Sequence, residues 1–190
     1  MDLADKRGLE TDVYQPAEDS HLLAEVACDR LDARDLVLEV GTGSGYVADR
    51  IATDVGARVI AADLNPHAVA QARQRGLEAV RADLVSPFAD GSFDAVAFNP
   101  PYLPTDPDTE WDDWMERALS GGEDGRAVID PFLEHVSRVL APDGVVLLLV
   151  SSLTGVDAVV ERAGEAGFSA FAVADESFPY ETLTILELVH

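Results

Sequence analysis

Several residue types that mark particular protein classes are scarce or absent in this sequence. Cys28 is its single cysteine, which excludes an internal disulfide and a zinc site built from several cysteines. The apolar neighbours Val26 and Ala27 predict a reduced thiol packed in a helix. No apolar run reaches the roughly 18 residues of a membrane span, and residues 1–7 do not contain the apolar core of a secretory signal. We therefore expect a cytoplasmic protein with no membrane segment.

Positive charge is also scarce. Lysine and arginine together number 13 against 36 acidic residues, which gives a formal net charge of −23 at pH 7. Because such a charge destabilises a compact state by self-repulsion and salt screens that repulsion, we expect a halophilic protein adapted to a high-salt cytoplasm. An ordinary acidic protein with an acidic partner-facing surface is the alternative. The charge also argues against direct nucleic-acid binding, which needs a basic patch.

Strand-like and helix-like segments alternate along the chain, and hydrophobic residues make up 47% of it. The alternation predicts an α/β fold, a doubly wound and mostly parallel sheet with helices on both faces. Seven strands are predicted, over residues 36–40, 58–62, 78–82, 94–98, 144–150, 168–173 and 182–188. Helices are predicted over residues 18–31, 46–55, from 65 onward, 126–140 and 156–166. The short connection before the last strand suits a hairpin, so that strand is expected to run antiparallel.

We expect a single domain over residues 1–190. Residues 1–35 precede the first strand and are predicted to form a helical lid element, and residues 36–190 the sheet-containing core.

The tetrapeptide Asn99-Pro100-Pro101-Tyr102 follows the fourth predicted strand. Neither proline has an N–H group, so the chain leaves the sheet abruptly while its carbonyl oxygens remain free as acceptors. The carboxamide oxygen of Asn99 beside a free carbonyl makes a pair of acceptors suited to a planar –NH2 group, and Tyr102 offers an aromatic face. The motif therefore favours a site for an amide or amino nitrogen. A rigid turn without further function is the alternative reading.

A glycine-rich turn follows the first strand, with Glu39 two residues before Gly41, and then Gly43 and Gly45. Glycines allow the backbone to approach a ligand closely and to adopt positive φ. The helix predicted directly afterwards points its first N–H groups at a bound group. The G-x-G-x-G spacing differs from the dinucleotide pattern G-x-G-x-x-G.

Two further acids follow the next two strands. Asp63 ends the second strand, where a carboxylate can accept from ribose hydroxyls. Asp83 follows the third strand and could accept from an adenine amino group, with Leu84 packing on the ring. Each acid alone could be a solvated loop residue, but together with the glycines they indicate one crevice that binds S-adenosylmethionine.

Four blocks of residues give the chain a family resemblance. They are Tyr14–Ser20 (YQPAEDS), Glu39–Gly45 (EVGTGSG), Asn99–Tyr102 (NPPY) and Ser120–Arg126 (SGGEDGR). The sequence resembles the HemK-type amide methyltransferases, in particular the short archaeal and eukaryotic branch that modifies class I translation release factors. The resemblance spans nearly the whole chain, without the separate N-terminal substrate domain of bacterial relatives. It implies a Rossmann-like class I S-adenosylmethionine methyltransferase fold with a seven-stranded sheet.

The resemblance further implies an activity and a set of site residues. The activity is methyl transfer from S-adenosylmethionine to the glutamine side-chain amide in the Gly-Gly-Gln loop of an archaeal class I release factor. Asn99 and the Pro100 carbonyl would hold the glutamine amide, and Tyr102 would shape the pocket. The cofactor would be bound by Ser20, Glu39, Gly41, Gly43, Asp63, Asp83, Leu84 and Asn99. The family usually has threonine where Ser20 stands, so the hydroxyl is kept. No metal site is expected.

The resemblance also implies a partner, a small zinc-binding activator that forms a heterodimer by adding a strand at the third-strand edge, roughly residues 78–83. Exposed sheet edges invite such pairing, although a solvated edge is the alternative. Residues 103–125 form a long connection containing Trp111 and Trp114, which we expect to be a lid over the substrate loop. The alternative is that both tryptophans pack a small extra helix onto the core.

Three other functions remain open from the sequence. A nucleic-acid adenine methyltransferase uses the same Asn-Pro-Pro-Tyr chemistry on an exocyclic –NH2, but the net charge of −23 opposes it. A protein lysine methyltransferase is possible within this branch of the family. A non-catalytic binding module that retains the fold is the third. Amide transfer needs no histidine base, and the four histidines are expected to be structural or surface residues: His21, His67, His135 and His190.

Overall fold

Seven strands form one mixed sheet in the computed structural model, which describes residues 12–105 and 113–190. The strands are β1 (Leu36–Val40), β2 (Arg58–Asp63), β3 (Glu78–Arg81), β4 (Phe93–Phe98), β5 (Leu140–Ser151), β6 (Ser169–Ser177) and β7 (Thr182–Val189). Their order across the sheet is β3-β2-β1-β4-β5-β7-β6. The first five strands pair in parallel, and β7 pairs antiparallel with both β5 and β6. The predicted fold class and the antiparallel last strand are confirmed.

Six α-helices connect or flank these strands within the described residues. They are α1 (Glu18–Arg30), α2 (Tyr46–Arg50), α3 (Pro66–Gln74), α4 (Trp114–Leu119), α5 (Ile129–Val139) and α6 (Val156–Glu165). A π-helical turn, Ile51–Val55, continues α2. Asn65 caps α3 by accepting from the His67 N–H at 2.9 Å, with Pro66 in the first turn, as the Asn-Pro pair predicts. None of these helices is long and apolar enough to span a membrane.

The sheet is covered on both faces. On one face α1, α2 and α3 bury an apolar layer that includes Leu23, Val47 and Val69. On the other face α5 and α6 contribute a second layer that includes Phe132 and Val159. Every residue in the second half of β5 is buried because that strand is central and covered on both sides.

The helix predicted over residues 18–31 is present as α1, but it packs along the sheet face instead of standing away from it. Its residues Leu22, Leu23, Ala24 and Ala27 are buried in the core, and only its first turn reaches the cavity described below. Cys28 lies in this helix, half-buried, with its thiol 3.8 Å from the Arg50 carbonyl oxygen. Burial raises the pKa of that thiol. A lid role for residues 1–35 stays a prediction.

Two predicted boundaries were wrong at the entry to β5. The helix expected over residues 126–140 spans Ile129–Val139. At its start, residues 127–128 form a turn, and the Ala127 N–H bonds to the Gly121 carbonyl at 2.9 Å. At its end, Leu140 already belongs to β5. The strand expected to begin at residue 144 begins at Leu140, which pairs with Phe93. The next pair is Ala95 with Val145, so the intervening Ala-Pro-Asp-Gly segment bulges from the ladder.

The strand order reverses direction between β1 and β4. From β1 the chain proceeds outward to β2 and β3, and afterwards to β4 on the other side. The carboxyl ends of β1 and β4 are therefore adjacent, with Val40 opposite Phe98. In open α/β sheets, ligands bind in the crevice at such a reversal point. The glycine-rich turn and the Asn-Pro-Pro-Tyr segment meet there.

Candidate active site

A cavity of about 340 Å³ opens at the carboxyl ends of the first four strands. All ten residues that the sequence predicted for the site line it: Ser20, Glu39, Gly41, Gly43, Asp63, Asp83, Leu84, Asn99, Pro100 and Tyr102. Because these residues come from four strand ends and one helix, the sheet topology brings them together. The four histidines, in contrast, are all exposed, and none of them lines the cavity.

The glycine-rich turn forms a backbone cradle at the base of the cavity. Gly41 and Gly43 have positive φ angles of 63° and 52°. A Cβ atom on Gly41 would lie 3.3 Å from the ring of Phe98, and one on Gly43 would lie 3.4 Å from the Tyr14 carbonyl oxygen. Side chains at these positions would be both strained and crowded, so glycine keeps the backbone open to a ligand.

Glu39 is buried below this cradle. One of its carboxylate oxygens accepts hydrogen bonds from the Thr42 hydroxyl and, at 3.1 Å, from the Ala48 N–H. Burial raises the pKa of Glu39 to about 8, although both hydrogen bonds act in the opposite direction. The side chain is therefore mostly protonated near neutral pH, and it holds the turn through the Thr42 hydroxyl.

Asp63 links two backbone segments at the end of β2. Its Oδ2 accepts from the Gly43 N–H at 2.8 Å, and its Oδ1 accepts from the Asn65 N–H at 2.8 Å. Burial raises the pKa of Asp63, while the backbone N–H groups around it act against that rise. The carboxylate is thus fixed in orientation at the cavity wall.

Asp83 and Leu84 form the far wall of the cavity beyond β3. Asp83 is exposed and Leu84 is half-buried against the core. Among the described residues other than glycine, Leu84 is the one with a positive φ, 47°. Leucine rarely adopts this conformation, and such strain concentrates at ligand sites.

An N-terminal strap, residues 12–17, contributes Tyr14 to the cavity wall and is fastened at both ends. At its start, the buried Asn65 donates from Nδ2 to the Asp12 carbonyl oxygen at 2.5 Å. At its end, Asp19 accepts from the Tyr14 hydroxyl at 2.9 Å and from the Ser20 N–H at 2.6 Å. Burial and then the Asp19 charge raise the pKa of Tyr14 well above its usual range. Tyr14, Asp19 and Asn65 line the cavity but were not among the predicted site residues.

The Asn-Pro-Pro-Tyr segment closes the cavity on the side of β4. The Oδ1 atom of Asn99 is shielded from solvent and accepts no hydrogen bond from any residue that the structure describes. Buried carboxamide oxygens are nearly always paired, so an unpaired one beside a cavity indicates a missing donor. Burial, and then the charges of Asp19, Glu181 and Glu18, raise the pKa of Tyr102. The phenol is therefore neutral at every physiological pH.

The connection after β4 contributes the remaining wall. Leu103, Trp114, Arg117 and Leu119 line the cavity, and the Arg117 guanidinium lies 5.3 Å from the centre of the Trp114 ring. Trp111 lies outside the described residues. A small helix, α4, does form in this connection, and Trp114 is half-buried beside the cavity. A lid role for residues 103–125 stays a prediction.

The cavity fits S-adenosylmethionine on the basis of its own chemistry. A Cβ at Gly41 or Gly43 would crowd the glycine cradle, so glycine leaves the cradle open for a ligand. The Asp63 carboxylate is fixed in orientation and suits ribose hydroxyls. The strained Leu84 presents an apolar surface for a flat ring. No cluster of three or more potential metal ligands occurs among the residues that the structure describes.

Comparison with known proteins supports this interpretation. A family model described as a methyltransferase domain matches residues 37–121. A relative from Methanocaldococcus jannaschii, whose name describes a protein N5-glutamine methyltransferase, is 35% identical over 95% of this chain and 93% of its own length. Human methyltransferase HEMK2 is 31% identical over 95% of this chain and 91% of its own length.

A solved structure agrees with the sequence relatives. It is the E. cuniculi Mtq2-Trm112 complex, which its description links to methylation of the eRF1 translation termination factor. The TM-score is 0.79 with 30% sequence identity, over 94% of this chain and 99% of that chain.

The fold and the site together define a class I S-adenosylmethionine-dependent methyltransferase. Within that class, the chain belongs to the HemK-type protein glutamine methyltransferases. The predicted family, enzyme class and cofactor are confirmed.

Proposed function

We propose that this enzyme methylates the glutamine side-chain amide in the Gly-Gly-Gln loop of an archaeal class I release factor. The observation that carries the proposal is the Asn99 Oδ1 atom, which is shielded from solvent and unpaired within the described residues. This unpaired acceptor at the cavity wall is suited to an N–H donor from a substrate. A primary carboxamide has two such hydrogens in one plane.

The proposed chemistry requires that a poor nucleophile be activated. The amide nitrogen of glutamine is unreactive because its lone pair is delocalised into the carbonyl group. Asn99 Oδ1 and the Pro100 carbonyl would accept its two hydrogens, orient the nitrogen and help to localise the lone pair. Acceptors placed for the charge that develops on the N–H groups would add further stabilisation.

Neither Tyr102 nor any of the four histidines is set up to act as a base at the site. Tyr102 is neutral because burial raises its pKa, and the four histidines are exposed and do not line the cavity. Tyr102 would instead provide an aromatic surface for the flat amide. The proton of the methylated amide would be lost to solvent after transfer.

The cofactor would be held by side chains from the first three strands. Asp63 would accept from the ribose, Asp83 from the adenine amino group, and Leu84 would pack on the adenine ring. Ser20, Gly41 and Gly43 would surround the methionine end, with Glu39 supporting their turn through Thr42. When bound, S-adenosylmethionine supplies a methyl group activated by its positively charged sulfur.

A transfer assay tests the substrate. The enzyme is incubated with labelled S-adenosylmethionine and a class I release factor carrying either Gly-Gly-Gln or Gly-Gly-Ala, in high salt. We expect label on the Gly-Gly-Gln form alone. Equal label on both forms would point to a lysine acceptor, and label on added RNA or DNA with none on the factor would point to an adenine acceptor.

We also propose that a small zinc-binding activator docks by strand addition at β3. Support comes from the position of β3 at one end of the seven-stranded order. The Ala82 N–H bonds back to Asp63 of β2, and alternation along a strand then directs the Arg81 N–H away from β2. That backbone donor is available to a partner strand.

A pair of substitutions tests this docking mode. Arg81→Pro removes the outward N–H group, whereas Arg81→Ala removes the side chain and keeps that group. We expect Arg81→Pro to abolish co-purification with the activator and Arg81→Ala to retain it. Loss in both variants, or retention in both, would contradict docking by strand addition.

A high-salt cytoplasm is the proposed setting of the enzyme. The support is the net charge of −23, whose self-repulsion is screened by salt. Several acids are already paired with arginine in the structure, as in the Arg58–Glu78 and Arg138–Asp90 ion pairs at 2.8 and 2.6 Å. Acids outnumber basic residues nearly threefold, so repulsion among the remaining carboxylates is what salt would screen.

A further inference from the structure

The glycine-rich block Ser120–Arg126 resembles its family counterpart but has no role in the function described so far. None of its residues lines the cavity. The block nevertheless folds directly behind the Asn-Pro-Pro-Tyr segment, and its glycines are in close backbone contact with that segment.

Gly125 is the point of closest approach. It is buried, with a φ of 75°. A Cβ atom there would lie 2.6 Å from the Tyr102 carbonyl oxygen and 2.8 Å from Cγ2 of Thr154. A Cβ atom on Gly121 would in turn lie 2.6 Å from the Gly125 backbone. The Gly125 backbone therefore packs directly against the Tyr102 carbonyl, and the Gly121 backbone packs against Gly125.

Backbone hydrogen bonds hold the block against the residues that follow Tyr102. The Gly121 N–H donates to the Leu103 carbonyl at 2.9 Å, and the Thr105 N–H donates to the Gly122 carbonyl at 2.9 Å. The hydroxyls of Thr105 and Ser120 are 2.5 Å apart. The chain after Tyr102 is thus fixed in register by the block.

A side-chain clamp fastens the block to the end of β5. The Arg126 guanidinium donates to the Thr154 carbonyl at 2.6 Å and to Asp124 Oδ2 at 2.7 Å. Thr154 is itself buried, and its hydroxyl donates to the Ser151 carbonyl at 2.7 Å. The block therefore connects the Tyr102 backbone to the segment at the end of the central strand β5.

We propose that Gly125 and Arg126 are positioning residues for the acceptor pocket, because they fix the Tyr102 backbone at the turn that presents the substrate amide. The inference rests on the proposed function, in which Tyr102 shapes that pocket. A Cβ at residue 125 requires the Tyr102 carbonyl to move by several tenths of an ångström. Misplacement of about 1 Å at a reacting centre lowers rates by roughly 100-fold.

Gly125→Ala tests the proposal, with Gly76→Ala as the matched control. Gly76 also has a positive φ, 86°, but a Cβ there would meet nothing within 4 Å. The two variants share the backbone strain and differ in the contacts with Tyr102 and Thr154. Wild type, both variants and Arg126→Ala are compared for cofactor affinity by calorimetry and for kcat with the Gly-Gly-Gln factor.

We expect Gly125→Ala to lower kcat by about 10- to 100-fold with the cofactor Kd changed less than about threefold. Gly76→Ala should leave both values near those of wild type. Arg126→Ala, which introduces no clash, should lower kcat in the same direction, so the test survives if Gly125→Ala does not fold. If Gly125→Ala folds, a kcat equal to that of Gly76→Ala would overturn the proposal. If Gly125→Ala does not fold, an unchanged kcat in Arg126→Ala would overturn it. Failure of wild type to label the factor would instead refute the proposed function.

Discussion

Replacing Asn99 by alanine separates the stability of the apo enzyme from its activity. An unsatisfied buried acceptor costs about 1–3 kcal/mol, and Asn99 Oδ1 is such an atom within the described structure. Removing it relieves that cost, and because Asn99 lines an existing cavity, little packing is lost. We expect the free energy of unfolding to stay within about 0.5 kcal/mol of wild type or to rise by up to about 1 kcal/mol.

Activity should change in the opposite direction. Loss of one preorganised hydrogen-bonding group in an active site lowers kcat by about 10²- to 10³-fold, or roughly 3–4 kcal/mol of transition-state stabilisation. Asn99→Asp keeps an acceptor oxygen in the same place and should lose less activity than Asn99→Ala. The assays are urea unfolding of the apo enzyme and single-turnover methylation of the Gly-Gly-Gln factor.

Asn65→Ala is the matched control for stability. Both ends of the Asn65 carboxamide are bonded, to the His67 N–H at 2.9 Å and to the Asp12 carbonyl at 2.5 Å. Its loss removes a helix cap and a tertiary hydrogen bond, so stability should fall by about 1–3 kcal/mol. If Asn99→Ala loses as much stability as Asn65→Ala, the oxygen of Asn99 is not unpaired in solution. If Asn99→Ala keeps near wild-type activity, the oxygen does not hold the substrate.

Three further predictions concern pH, backbone strain and salt. The pKa of Glu39 is raised to about 8 from an ordinary 4.5. Between these pH values the folded state binds a proton at Glu39 that the unfolded state does not bind. The free energy of unfolding therefore falls as pH rises from about 4.5 to about 8, by at most about 1.4 kcal/mol per pH unit. In urea unfolding, the difference between wild type and Glu39→Gln should show this slope, and a flat difference would contradict the raised pKa. Leu84→Ile keeps the apolar volume but puts a β-branched residue at a φ of 47°, so it should destabilise by about 1–2 kcal/mol; no change in unfolding would show that the residue relaxes in solution. The melting temperature should rise steadily from dilute buffer to molar KCl because salt screens the charge of −23, and a melting temperature independent of KCl would contradict the halophilic assignment.

The residues at strand ends were predictable from the sequence because parallel strands end at one edge of the sheet. The strand pattern alone requires Glu39, Asp63, Asp83 and Asn99 to lie near one another, as they do in the structure. The antiparallel β7 followed from the short connection that precedes it. These features depend on local periodicity and on topology, both of which a single sequence contains.

Contacts between distant segments were not predictable in the same way. The Asn65–Asp12 hydrogen bond joins residues 53 positions apart, and no local pattern marks the pair. The contact of Gly125 with Tyr102 depends on the path of the chain between them. The same path determines that α5 begins at Ile129 and not at residue 126. The bulge at the entry to β5 arises because Leu140 pairs with Phe93. This pairing was not predicted because the apolar periodicity of the preceding helix continues through Leu140.

The account depends most directly on the identity of the methylated atom. We would digest the release factor after incubation with enzyme, activator and deuterated-methyl S-adenosylmethionine, and locate the label by tandem mass spectrometry. The account predicts a single methyl group on the side-chain nitrogen of the glutamine in Gly-Gly-Gln, formed at least about 100-fold more slowly in the Asn99→Ala reaction. A methyl group on a lysine, or on any other residue of the factor, would contradict it.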